Sequence, residues 1–214
     1  MEDYHAAMCG GFPLCLTLAV AALALQAAPG GAPTVRWPRA RSVLVWIQKD
    51  GARERNRELV RVALANWADA AGGSLRFEES ETVPENGLRV FFSRNEPHFG
   101  TGRPVVDNER GEIRSADVII ASDPMGDRIQ RDLIVYLTAL HELGHVLGLR
   151  HTDNMGEIMY GFHEPEDATR TFDRYRQGLR SIEDIGTPRA SGLTEADRRA
   201  IQALYTDPPT REPQ

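Results

Sequence analysis

His141-Glu142-Leu143-Gly144-His145-Val146-Leu147-Gly148-Leu149-Arg150-His151 places three histidines and two charged side chains within eleven residues of an otherwise apolar run. His141 and His145 are four residues apart, which on a helix stacks them one turn above each other on one face, at about 6 Å of axial rise. Two imidazoles so placed can reach one ion at about 2.0 to 2.1 Å. Glu142 points about 100° round the helix from the first of them, so it is placed to hold a metal-bound water and not the metal. Burying two imidazoles and a carboxylate together in a Leu-rich helix is costly unless something compensates, and a divalent cation does so directly. Gly148 can take a positive φ, so the chain leaves the helix sharply and brings His151 back to the same ion. Three neutral imidazoles leave the fourth position open for water, as in catalytic zinc sites; cobalt or copper could also occupy such a donor set by affinity order.

Upstream, Asp127 with Gln130 three residues later forms a capping box for a helix running to about Leu147. Leu133, Ile134, Leu137, Leu140, Leu143, Val146 and Leu147 leave it little polar face, so it is expected to be central and mostly buried. Before it stand strand candidates at Val43 to Ile47, Leu75 to Phe77, Leu88 to Phe92 and Ala116 to Ala121, with an amphipathic helix from Arg53 to Ala71 stopped by Gly72-Gly73. Thr101 to Asp107 reads either as a surface loop or as an edge strand, because Pro104 has no N–H for a ladder. A free edge would let an extended peptide add itself as another strand.

Downstream, Phe172, Tyr175, Leu179 and Ile182 recur at helical spacing, so Thr171 to Asp184 is expected to form an amphipathic helix despite Gly178. A last helix, Thr194 to Tyr205, turns Ile201 and Leu204 inward. Strands and helices alternate at first and helices follow, which gives an α+β domain, a mixed α/β sandwich with a small twisted sheet, a central helix and a C-terminal helix.

The eleven-residue run matches H-E-x-x-H-x-x-G-x-x-H without a mismatch, and on it the chain resembles the metzincin metallopeptidases. The resemblance is closest to the matrixins: Thr152 follows the third histidine, where they commonly carry Ser, and Leu193 to Tyr205 (LTEADRRAIQALY) is similar to their final helix. It covers roughly residues 35 to 207. It implies zinc on His141, His145 and His151, Glu142 as general base, and a methionine turn below the metal. Met159 fills that turn by spacing, with Met155 as the nearby alternative. By the same resemblance the segment after the turn borders the pocket beyond the cleaved bond, where the helix expected near Thr171 could wall the cleft or simply pack on the domain.

The chain departs from the matrixin pattern in three places. Few residues separate the leader described below from the first strand and none is Cys, so latency by a thiolate plug is not expected. His98 is the only histidine between the leader and His141, so the second, structural zinc cluster of animal matrixins is missing. Gly161 replaces the proline common after Met-Tyr. Calcium is possible at Asp107, Asn108, Glu109 and Glu112, which otherwise form a solvated turn.

With 214 residues, 41% of them apolar, the chain suits one ordinary domain. The 31 acids against 25 bases give a formal charge of -6, and no basic patch suggests nucleic acid. The apolar stretch Phe12 to Ala28 reads as a secretory leader, giving a signal peptide over residues 1–30, a linker over 31–41, the catalytic domain over 42–207 and a disordered tail over 208–214. Both cysteines, Cys9 and Cys15, lie in the leader, so no disulfide or thiolate is expected in the mature chain.

Together these readings describe a secreted, extracellular or periplasmic zinc endopeptidase. It is expected to be monomeric, to act on peptides or proteins, and to leave the membrane once its leader is removed. The alternatives are a catalytically idle binding module of the same fold and a zinc hydrolase of a non-peptide amide.

Overall fold

The computed structural model describes residues 35–38, 42–96 and 98–206, and the leader and the tail lie outside them. In chain order the elements are β1 Val43–Ile47, α1 Glu54–Ala70, β2 Phe77–Glu79, β3 Leu88–Ser93, β4 Gly100–Asp107, β5 Glu112–Ala121, α2 Arg128–Val146, α3 Pro165–Gln177 and α4 Glu195–Tyr205. Single 3-10 turns at Ile182–Asp184 and Pro188–Ala190 link α3 to α4. The α+β expectation holds: the architecture is mixed, with one five-stranded sheet in the order β2-β1-β3-β5-β4.

β1 pairs parallel with β2 and β3, and β3 pairs parallel with β5, while β4 alone runs antiparallel at the edge. Its register sets Gly100 opposite Ile120 and Pro104 opposite Ala116, with an irregularity between Val105 and Val106. The Ala121 amide donates to the Phe99 carbonyl at 2.9 Å, which makes these two a hydrogen-bonded pair. By the antiparallel alternation Thr101 and Arg103 also bond to β5, and Gly100, Gly102 and Pro104 turn their backbone groups to the free edge. Pro104 therefore sits where its missing N–H costs the ladder nothing. Of the two readings of this stretch, the edge strand is the one present.

α2 begins where Asp127 accepts the Gln130 backbone N–H. Every residue from Asp132 to Leu140 is buried, because α2 packs on α1, β4, β5 and α3 together. Polar groups inside this packing are paired: Arg55 bonds Asp132 at 2.8 Å, and the Trp67 indole N–H donates to the Leu140 carbonyl at 2.8 Å. On α1 the buried face is Asn56, Leu59, Val60, Ala63, Leu64, Trp67 and Ala70, and the helix stops at Gly72 and Gly73 with φ of 62° and 81°.

Three boundaries differ from the sequence reading. β2 begins at Phe77 and runs into Glu78 and Glu79, charges that an outermost strand tolerates because Glu79 meets Arg61 of α1 at 2.9 Å. β5 begins four residues earlier than Ala116, because Glu112 to Ser115 pair with the end of β4. In place of a helix from Thr171 to Asp184, α3 starts at Pro165 under a capping box of Glu164 and Asp167 and ends at Gly178. Leu179 and Ile182 still pack on the core, from the loop and the 3-10 turn. The stretch expected to be a linker contains Trp37, which is 4% exposed.

Leu59 and Glu58 are neighbours about 100° apart on α1, one at 1% exposure and one exposed. Leu59→Ala is expected to cost about 2–5 kcal/mol in urea denaturation, and Glu58→Ala to stay within about 0.5 kcal/mol. Equal effects would mean that α1 is turned differently.

Candidate metal centre

α2 carries His141 and His145 to its C-terminal end and stops there by a backbone device. The Gly148 amide donates to the His145 carbonyl at 3.0 Å and the Leu149 amide to the Gly144 carbonyl at 2.9 Å, a Schellman pairing with Gly148 at φ 102°. The chain then doubles back, and His151 returns to the face of α2 that bears the other two rings.

The three Nε2 atoms converge, at 3.1 Å between His141 and His145, 3.2 Å between His141 and His151, and 3.0 Å between His145 and His151. His141 Nδ1 lies 2.7 Å from the Ile158 carbonyl and His145 Nδ1 3.2 Å from the Leu149 carbonyl. A carbonyl can only accept, so each Nδ1 carries the proton and each Nε2 turns a lone pair inward. Burial, and then the neighbouring His145, lowers the pKa of His141 to about 4. Burial also lowers His145 and His151, followed by His151 and His163 respectively. Three imidazole nitrogens facing one point, with the rings of His141 and His145 oriented from behind by carbonyls, fit a divalent zinc ion. Among the described residues this triad is the one group of such side chains arranged to hold a metal.

Glu142 is 8% exposed, and burial pushes its carboxyl up to about 7. The Gly102 backbone N–H, at the free edge of β4, donates to that carboxyl and opposes the rise. This approach requires glycine in the strand. A Cβ on Gly100 would stand 2.5 Å from Thr138 Cγ2 and 3.0 Å from Glu142 Cγ, and one on Gly102 would stand 2.8 Å from the Glu142 carbonyl and 3.2 Å from Val146 Cγ1. Thr138, Glu142 and Val146 form one stripe of α2 at intervals of four, and the bare backbone of β4 lies along it.

Met159 is 2% exposed, and its sulfur would be 2.3 Å from a Cβ on Gly144, so it lies against α2 between the levels of His141 and His145. Its carbonyl accepts from the Thr152 amide at 2.9 Å. Met155 is half-buried and stands elsewhere, its carbonyl taken by Arg174. Two carboxylates that the sequence reading left aside hold this turn in place. Asp197, the acidic member of the α4 capping box, accepts from the Ile158 amide at 3.3 Å. Asp167 accepts from the Tyr160 hydroxyl at 3.1 Å and from the His163 amide at 3.0 Å. Both spacings, Thr194 to Asp197 and Glu164 to Asp167, are helix-start signals visible in the sequence, although their second partners are not.

Phe99, just before β4, meets Phe172 of α3 edge to face at 5.0 Å. At the β4–β5 turn, Asp107 accepts from the Glu109 amide at 3.1 Å and from Arg114 at 2.5 Å. An arginine bonded to that carboxylate favours the solvated turn over a calcium loop.

A family model described as Matrixin matches residues 41–185. The chain is 29% identical over 160 residues to matrix metalloproteinase-21 of Mus musculus, covering 71% of this chain and 24% of that protein. It is 28% identical over 157 residues to the Xenopus laevis protein of the same name, covering 70% and 22%. The chain thus aligns with only about a quarter of the length of these relatives. With a family match running from before β1 to beyond α3, over the sheet, the helix and the histidine triad just described, the chain belongs to the matrixins, a metzincin family of zinc metallopeptidases.

Proposed function

We propose that the protein is a secreted zinc-dependent endopeptidase in which His141, His145 and His151 hold the metal and Glu142 is the general base. The observation that carries this reading is the convergence of the three Nε2 atoms within 3.0 to 3.2 Å beside a buried carboxyl that faces a free strand edge. A zinc ion in the triad supplies the Lewis acidity that peptide hydrolysis needs, activating water near neutral pH and polarising the scissile carbonyl. Glu142, raised to about 7 by burial, takes a proton from the attacking water and returns it to the leaving amine. The Gly102 amide orients the carboxyl for both transfers.

The substrate is an extended peptide that pairs with the carbonyls that Gly100, Gly102 and Pro104 turn to the open edge of β4, the Gly102 N–H being held by Glu142. α3 walls one end of this cleft through the Phe99–Phe172 contact. An idle binding module would need neither a carboxyl held beside the triad nor an amide aimed at it. The name of the two relatives, matrix metalloproteinase-21, supports a peptide bond over another amide as the target. Secretion rests on the apolar leader at Phe12 to Ala28, and among the described residues no helix is long and apolar enough to cross a membrane.

Glu142→Gln is expected to abolish peptide hydrolysis while leaving about one zinc per chain, measured by metal analysis beside a casein assay. His141→Ala, His145→Ala and His151→Ala are each expected to lose both, since two imidazoles alone hold zinc poorly. Zinc loss in the glutamine variant, or full affinity without His151, would contradict these roles. Expressed with its leader, the protein should appear outside the cytoplasm, shortened by roughly 25 to 32 residues. Phe172→Ala should change cleavage-site preference in a peptide library at unchanged zinc content. An unaltered profile from the folded variant would make α3 a packing element only.

A further inference from the structure

The last carbonyls of a helix have no partner within it, and those of α2 lie beside the metal centre. The Gly144 and His145 carbonyls are taken by the Leu149 and Gly148 amides. The next two are taken from opposite ends of the chain. The Val146 carbonyl accepts the Trp37 indole N–H at 2.8 Å, and the Leu147 carbonyl accepts the Tyr205 hydroxyl at 3.0 Å. The Tyr205 oxygen in turn accepts the Trp37 backbone N–H at 3.2 Å, which joins the two bonds into one network. Both side chains are buried, at 4% and 3% exposure.

Neighbouring residues hold Trp37 in place. The Ile113 amide donates to the Arg36 carbonyl at 2.8 Å, the Arg36 amide to the Gly111 carbonyl at 3.2 Å, and the Arg36 guanidinium to the Leu204 carbonyl at 3.1 Å. The Val35 carbonyl would lie 2.0 Å from a Cβ on Gly148, so residues 35–37 press directly on the turn. α2 itself fixes His141 and His145. His151 lies beyond the turn, and its approach to them depends on the direction in which the chain leaves Leu147.

We propose that Trp37 and Tyr205 are positioning residues of the metal centre: by holding the Val146 and Leu147 carbonyls they set the exit of α2 that brings His151 to the other two histidines. Neither touches the reacting atoms. This inference rests on the zinc reading of the triad, and its test separates the two.

Zinc affinity is measured by competition with a chromophoric chelator for the wild type, Trp37→Phe and Tyr205→Phe, with Leu59→Ala as a variant destabilised far from the α2 terminus. Tyr205→Phe keeps its ring and loses only the hydroxyl, which donates to Leu147 and accepts from the Trp37 amide, whereas Trp37→Phe loses the indole N–H together with the five-membered ring. Each is expected to bind zinc roughly tenfold more weakly, the lower end of what outer partners of metal ligands contribute. Cobalt substituted in those variants should show altered d–d bands, as the donor geometry loosens. Leu59→Ala should lower the unfolding midpoint and leave the affinity of the folded protein unchanged. Wild-type zinc affinity and an unchanged cobalt spectrum in folded Tyr205→Phe would overturn the inference, as would an equal loss in Leu59→Ala. Failure of the wild type to bind zinc would overturn the metal reading itself, a result distinct from equal binding by all variants.

Discussion

Helix α2 is buried along nearly its whole length and yet ends in two imidazoles and a carboxyl, and much of the domain is arranged around that conflict. A buried polar group is tolerated only when it is bonded, and each of these is held from a different element. The Ile158 carbonyl takes His141, the Leu149 carbonyl takes His145, and the Gly102 amide takes Glu142. The methionine turn, the loop after α2 and the edge strand are therefore bound to one helix by its own polar groups. What those bonds leave unpaired is the three Nε2 lone pairs, which is why a cation completes the arrangement.

The edge strand shows how little separates a structural contact from a chemical one. With side chains at 100 and 102, β4 would stand away from α2 and the Gly102 amide would not reach Glu142. With none, the backbone lies on the helix, and the unpaired side of the strand borders the carboxyl directly. Glu142 then faces strand backbone in place of bulk solvent, and burial raises its affinity for a proton.

The parts of this arrangement that were legible in the sequence are those written in local pattern. The histidine spacing, the Gly148 turn, the Asp127 cap, the apolar run of β1 and the misfit of Pro104 in an interior strand each follow from a few neighbouring residues. The parts that were not legible depend on partners far along the chain. β2 is a strand because Val43 to Val45 pair with it, although two of its three residues are glutamates. The start of β5 is set by the end of β4. Trp37 looks like one more residue of a proline-rich connection until its indole is placed 109 positions from the carbonyl it caps. The helix near Phe172 was visible as a pattern of apolar residues, but its limits were set by the Glu164–Asp167 cap and by Gly178, and two of its four apolar markers belong to the loop that follows.

Gly161 is the position where the chain leaves the pattern its family resemblance suggests, and the surrounding contacts explain how the change is accommodated. A Cβ there would come within 3.1 Å of the His151 ring, so the glycine allows the third histidine to lie directly against the backbone after Tyr160. A glycine is also a loose hinge, since it lacks the fixed φ that a proline would supply. Stiffness returns from the next element. Asp167, 2% exposed at the start of α3, gathers the Tyr160 hydroxyl and the amides of His163 and Glu164, all within 3.1 Å. The segment after Met159 is thus fastened to the first turn of α3 and not stiffened by its own backbone. α3 also reaches Phe99 at the start of β4, so one helix ties that strand to the segment after Met159. A substitution that shifts α3 would then be felt at both, and it would also reach the triad, through the Ile158 carbonyl on His141 and through Gly161 against His151.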